Sequence, residues 1–184
     1  MEKIPTLFIR DPNDRRHVLQ DVTPGCEWAL AGEGRPTRKF DGTCVLIRRD
    51  RILMVHAYAR REVKPGKDRP PRFVELAHDD VTGKTIGWEP YDQSSFAKFI
   101  DEALDSQPDI APGTYELCGP KINKNPEGFE RHELIKHGEQ TIGDVLDSYS
   151  TVRDYVLSHP EYEGVVWWHP DGRKAKIKRR DFTS

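Results

Sequence analysis

The sequence predicts an α+β fold built on antiparallel sheets, and three stretches carry that expectation. Residues 43–59, TCVLIRRDRILMVHAYA, are two β-branched apolar segments around a charged turn at 48–51, the pattern of a hairpin. Phe96, Phe99, Ile100, Ala103 and Leu104 fall at i, i+3, i+4, i+7 and i+8, which puts an apolar stripe on a helix ending near Ser106. Residues 164–169 and 173–178 read as extended segments joined by Pro170-Asp171-Gly172, a strong turn signal.

The other elements follow in order. Lys39 lies just before the first hairpin strand. Residues 62–93, dense in Pro, Gly and charge, read as a long loop with little strand. Ser94 or Ser95 can cap the first helix, and Pro108 stands just beyond its end. Residues 114–117, after Pro112-Gly113, and residues 132–137 read as strands. Thr141 can start a second helical stretch, in which Val152, Tyr155 and Val156 form an amphipathic turn before His159-Pro160. There is no internal repeat, heptad or low-complexity tract.

At 184 residues the chain is one domain's worth, with room for one sizeable core. A charged fraction of 33% and the lack of any apolar run near ~18 residues speak against a membrane-spanning protein. The opening MEKIPTLFIRDPNDRR has no secretory signature. Cys26, Cys44 and Cys118 are odd in number and lack CxxC spacing, as expected of reduced thiols. A cytoplasmic single-domain protein is the expectation. The net charge of -2 seen alone argues against a polyanionic partner, but it is a cancellation. Residues 35–72 hold twelve Lys/Arg against four Asp/Glu, and residues 73–117 hold ten acids against two bases. Residues 139–163 are acidic again and 172–184 basic. Phosphate binding depends on such local clusters and not on the total, although on charge alone solvated surface elements explain the pattern as well.

Several familiar motifs fail. In His132-Glu133-Leu134-Ile135-Lys136-His137 the second histidine is five residues on, not the four that place both imidazoles of HExxH on one helix face. Neither Gly66-Lys67 nor Gly83-Lys84 completes a P-loop, and Gly32-Glu33-Gly34 lacks a third glycine. No GxSxG elbow is present. A bound nucleotide must therefore be held by something other than a Walker lysine at a helix N-terminus.

Four short segments remain. Lys39-Phe40-Asp41-Gly42 has the form KxDG; downstream stand Tyr115-Glu116-Leu117-Cys118-Gly119, then Glu163-Gly164-Val165-Val166, then Lys174-Ala175-Lys176-Ile177-Lys178. Each alone is weak: Lys39 reads as a surface lysine, Glu116 as an exposed strand acid, Glu163 as a turn residue before Gly164. In this order and spacing they resemble motifs I, III, IV and V of the covalent nucleotidyltransferases, the polynucleotide ligases and mRNA capping enzymes. The chain is most similar to the ATP-dependent 5′-to-3′ RNA ligase family that has a vertebrate member and short bacterial and viral members. Longer matches are PTRKFDGTC, RREVKPGK, GTYELCGPK, NPEGFERHELIKHG, EGVVWWHPDGR and KAKIKRRDF, spread from about Gly32 to Phe182.

That resemblance implies a nucleotidyltransferase fold with antiparallel sheets flanked by helices, as a single minimal adenylyltransferase domain over 1–184 without a C-terminal OB domain. It implies an ATP-dependent RNA ligase that joins RNA 5′-phosphate and 3′-hydroxyl ends through a lysyl-AMP intermediate, with Mg²⁺ or Mn²⁺ as cofactor. Lys39 is then the nucleophile, and it must lose its proton, since an unperturbed lysine titrates near 10.4. Lys176 and Lys178 disfavour its charged form and neutralise the α-phosphate, whereas Asp41 acts the other way. Their alternation puts both lysines on one strand face and Ile177 on the other. Gly42 permits close backbone approach at the nucleotide. Glu116 is implied as a ribose-hydroxyl contact and metal ligand, and Glu163 as a metal ligand, in keeping with an ion that takes carboxylate, water and phosphate oxygens together. Arg60 and Arg61 both match the place of an arginine directed at the nucleotide or 5′-phosphate; strand neighbours face opposite ways, and Arg61 is the preferred one. For adenine stacking, Phe129, His132 and His137 are all available. One of Trp167 and Trp168 is expected in the core, with base stacking the lesser alternative. A minimal DNA ligase and a catalytically idle RNA-binding module with the same fold are the rival readings; protein partners are unknown.

Overall fold

The computed structural model describes residues 4–52 and 54–183. In chain order its elements are β1 (Phe8–Arg10), β2 (Val18–Val22), α1 (Glu27–Leu30), β3 (Arg35–Lys39), β4 (Thr43–Arg49) and β5 (Val55–Val63). There follow β6 (Val74–Asp79), β7 (Lys84–Pro90), α2 (Ala97–Ser106), β8 (Gly113–Cys118), β9 (Glu133–Lys136), α3 (Tyr149–Ser158), β10 (Gly164–Trp168) and β11 (Lys174–Lys178). Helices and antiparallel sheets together make the fold α+β, mostly sheet. The residues gather into two compact units, one of 42–137 and one that combines 4–41 with 138–183. No helix among the described residues is long and apolar enough to cross a membrane, and none of the three cysteines is in a disulfide.

The 42–137 unit is an antiparallel six-stranded sheet in the order β6-β7-β5-β4-β8-β9. The pairs Val45↔Ala59, Ile47↔Ala57, Val45↔Tyr115 and Leu117↔Leu134 set one face, and all these residues are buried. Ile100 and Ala103 of α2 join that core, with Phe96, Phe99 and Leu104 packed at its margin. The helix therefore uses the stripe read from sequence, although it starts at Ala97, after Ser94 Oγ accepts the Phe96 N–H at 3.3 Å. The β4–β5 turn lies later than expected. Arg48 and Arg49 continue the ladder, and Asp50 Oδ1 accepts the N–H groups of Ile52 and Met54 at 3.0 and 2.9 Å; Leu53 falls outside the described residues.

The expected loop at 62–93 is corrected. Residues 74–79 and 84–90 form a hairpin that extends the sheet beyond β5. Glu75 and Asp79 lie on the edge strand β6, where charge blunts unwanted strand pairing, and Thr85, Gly87, Trp88, Glu89 and Pro90 of the inner strand β7 are buried. Gly87 is needed there because a Cβ would lie 2.3 Å from Phe73 Cζ and 2.4 Å from the Val74 carbonyl oxygen.

The other unit holds the three-stranded antiparallel sheet β11-β10-β3 and the β1-β2 pair. Val165, Trp167, Ala175 and Ile177 line one face and pack with Val152 and Val156 of α3 and with Phe8 and Trp28. Of Trp167 and Trp168, Trp167 is thus the one in the core. The helix expected from Thr141 begins only at Tyr149. Residues before it run beside β3, with the Ile142 N–H donating to Pro36 O at 2.9 Å and Arg38 N–H to Gln140 O at 2.9 Å. Ser148 supplies the cap: its Oγ accepts the Thr151 N–H at 3.3 Å while Thr151 Oγ1 accepts the Ser148 N–H at 3.0 Å. Ser148→Ala is expected to cost about 1 kcal/mol, read as a lower thermal midpoint, with Ser148→Asp recovering most of it.

Candidate functional site

On β10, Gly164 pairs with Lys39 of β3 on one side and Lys178 of β11 on the other. Directly opposed residues share a sheet face, so the two lysines flank a position with no side chain. Gly164 is required by packing: a Cβ there would lie 2.0 Å from the Ile177 carbonyl oxygen and 2.8 Å from Lys178 Cα. Glu163, one residue earlier, lies between the ammonium groups. Its Oε2 accepts from Lys39 Nζ and its Oε1 from Lys178 Nζ. Lys39 Nζ also donates to Phe40 O at 3.2 Å. The side chains are mostly buried, at 19% exposure for each lysine and 13% for the glutamate.

Burial alone pushes the Glu163 carboxyl up, but the neighbouring Lys39 and Lys178 charges and hydrogen bonds outweigh it and hold the group below its ordinary value. The cluster is two cations around one ionised acid, a surplus of positive charge. The same face continues along the sheet. Thr37↔Val166↔Lys176 is the next row and Arg35↔Trp168↔Lys174 the one after. Five cationic residues therefore share it with no acid from the three strands, while Ile177 faces the core, as alternation predicts. β11 is pinned through Lys176: its N–H donates to Pro5 O at 3.0 Å, and its carbonyl accepts the Leu7 N–H at 2.7 Å. Trp168 is half-buried, donates from Nε1 to Thr37 Oγ1 at 2.9 Å and carries Lys174 Nζ 4.9 Å from its ring centroid. Asp41 is half-buried in the loop after β3.

The 42–137 unit holds the remaining candidates. Glu116 on β8 pairs with Cys44, and so points away from the Val45 face and from α2. Its Oε1 accepts the Gly42 N–H at 3.1 Å and its Oε2 is 2.8 Å from His137 Nε2. A Cβ on Gly42 would lie 2.2 Å from Leu117 O and 2.8 Å from Glu116 Cγ, which accounts for the glycine. Arg60 and Arg61 separate by face. Ala59 lies on the α2 face with Val45, so Arg60 lies with Cys44 and Glu116, opposite buried Trp88. The Nε of Arg60 is buried with no hydrogen-bond partner. Arg61 is on the α2 face, half-exposed, with its Nε 4.0 Å from Glu89.

The stacking candidates also separate. His132 is 4% exposed, stacks on Phe99 at 4.5 Å between centroids and reaches Glu102 at 2.8 Å, so it is committed to packing. Phe129 lies in a loop where the Asn125 side chain holds both its N–H and C=O at 3.0 Å. His137 is engaged with Glu116. That pairing and the hydrogen bond from Asn123 Nδ2 to Gly42 O at 3.0 Å had no motif to reveal them; the only signal was the alternation that puts Glu116 and His137 on one face of adjacent strands.

No protein-family model and no curated protein aligns with this chain. What the site can do rests on its chemistry. Among the described residues no three His, Cys, Asp or Glu side chains gather to hold a metal. Mg²⁺ does not need such a cage, since it is bound through one or two carboxylates plus substrate phosphates. An ionised Glu163 fits that use, and Glu116 keeps lone pairs beyond the two in use. The Lys39 amine shares a sheet face with Lys178, Lys176, Lys174 and Arg35, a clustering of cations that favours phosphate.

Proposed function

We propose that the chain is an ATP-dependent RNA ligase acting through a lysyl-AMP intermediate, and the observation that carries this reading is the Lys39–Glu163–Lys178 cluster. In the first step Lys39 gives up its ammonium proton to solvent and its neutral Nζ attacks the α-phosphorus of ATP; a P–N bond forms, the bond to the bridging oxygen breaks as pyrophosphate leaves, and the nitrogen sheds a second proton to solvent. Lys178 and Lys176 oppose charge on the expanding phosphate oxygens. The 5′-phosphate of RNA then displaces Lys39, giving a phosphoanhydride to AMP and restoring the lysine. A 3′-hydroxyl finally attacks that 5′-phosphorus, forms the phosphodiester and releases AMP. Glu163 orients Lys39 while the site is empty and, with the lysine gone from one oxygen, is the residue that would hold Mg²⁺ arriving with the nucleotide. The metal would supply Lewis-acid stabilisation of phosphate charge. Glu116 takes the ribose hydroxyl. Arg60, with its buried Nε and its place on the Glu116 face, is the arginine assigned to phosphate.

Matched RNA and DNA strands with 5′-phosphate and 3′-hydroxyl ends, incubated with ATP and Mg²⁺, test the reading. Joined RNA in excess over joined DNA is expected. Faster sealing of DNA nicks would make this a DNA ligase, a preference for GTP would make it capping-like, and no joining at all would leave an idle binding module. In the same assay Arg60→Ala is expected to lower the rate by about 10²-fold, a loss typical of one charged transition-state contact. Arg61→Ala stays within a few-fold of wild type.

A further inference from the structure

Glu116 is held more firmly than a lone strand acid needs to be. Its carboxylate meets His137 Nε2 at 2.8 Å and the Gly42 N–H at 3.1 Å, one on each oxygen. Glu116 and His137 are 12% and 15% exposed, so neither hydrogen bond is a passing surface contact. With a carboxylate as acceptor, Nε2 is the donor. The residue that supplies the second contact is also held at its next peptide group, where Asn123 Nδ2 donates to Gly42 O at 3.0 Å. Asn123 reaches it from an unusual turn in which Asn123, Lys124 and Asn125 all have positive φ, at 47°, 67° and 56°. Successive left-handed residues are unfavourable for side-chain-bearing residues. The turn is stabilised from both ends, by Ile122, which is fully buried, and by the Asn125 side chain clasping Phe129.

We propose that His137 and Asn123 are positioning residues that lock Glu116, through Oε2 directly and through Gly42 at Oε1, so that its remaining lone pairs select a ribose over a deoxyribose in the nucleotide. The proposal rests on the nucleotidyl-transfer reading above. A carboxylate free to rotate accepts a hydroxyl in several poses and discriminates weakly. One fixed at both oxygens presents its open lone pairs in a single direction, and a sugar lacking the hydroxyl leaves them unsatisfied, a loss of binding worth a charged hydrogen bond.

The test is the rate of lysyl-AMP formation as a function of ATP, 2′-deoxy-ATP and 3′-deoxy-ATP. For wild type, at least one deoxy analogue is expected to react with a kcat/KM lower by about tenfold or more. His137→Ala should raise the KM for ATP by about tenfold with a smaller change in kcat, and bring ATP and that analogue within about threefold of each other. His137→Gln, whose amide can donate to the same oxygen, should restore most of the preference. Asn123→Ala should fall between them. A His137→Ala protein that melts like wild type and keeps its KM and its preference for ATP overturns the proposal while the ligase reading stands. So does a His137→Gln protein as impaired as His137→Ala, since hydrogen-bond donation would then not be what matters. A wild-type protein that forms no adduct overturns both.

Discussion

Lys39→Ala is expected to abolish ATP-dependent joining of 5′-phosphorylated RNA, by about 10⁴-fold or more, while RNA supplied already adenylated at its 5′ end is still sealed. The split follows from the order of bond changes. Only the first two steps need an amine to take and hand on AMP; the last needs only the cationic face and the two RNA ends. A general loss of structure would remove all three. Lys39 ends β3, and its strand partner is the backbone of Gly164, so the ladder does not depend on its side chain. Glu163 also retains Lys178. Lys39→Arg sharpens the point. A guanidinium keeps a charge for Glu163 but stays protonated and is no nucleophile, so this variant should match wild type in thermal stability and match Lys39→Ala in inactivity.

Glu163→Gln is expected to cost about 2–3 kcal/mol of stability near neutral pH, because it leaves two mostly buried ammonium groups facing each other without their shared counter-charge. The pH dependence identifies the cause. Glu163 titrates in the folded protein below its ordinary 4.5. Its contribution is therefore fully present above the unfolded value and is lost as pH falls through the folded one. The gap in thermal midpoint between wild type and Glu163→Gln should be widest above about pH 5 and should narrow in more acid solution. A gap that holds constant from neutral to acid pH would mean that glutamine fails by shape and that charge bridging is not what Glu163 supplies.

The residues that could be read from sequence were those whose local pattern and tertiary role coincide. Lys176-Ile177-Lys178 alternates across a sheet that has one covered face, so its lysines fall together and Ile177 is fully buried. The apolar stripe of α2 is the stripe that packs. Where tertiary contacts override local preference, the pattern misleads. β3 is Arg-Pro-Thr-Arg-Lys, poor in strand formers, and it is extended because β10 pairs with all five residues. Residues 74–90 carry the turn residues and charges of a loop, yet β5 supplies a ladder for them. Residues 140–142 are drawn along β3, and the reciprocal Ser148–Thr151 cap then fixes the helix start. Strand parity from Lys39 to Arg61 cannot be counted through the intervening turns, so only the observed register separates Arg60 from Arg61. The His137–Glu116 contact spans 21 positions and depends on the β8–β9 register in the same way.

The two AMP-transfer steps of the proposed mechanism depend on Lys39 being a nucleotidyl-accepting amine. The intact mass of the protein after incubation with ATP and Mg²⁺, followed by peptide mapping, reads this out. The expected result is a gain of one AMP per chain, located on Lys39, stable to denaturation and removed by added pyrophosphate. No gain in mass, or an AMP on another lysine that persists in Lys39→Ala, would contradict it.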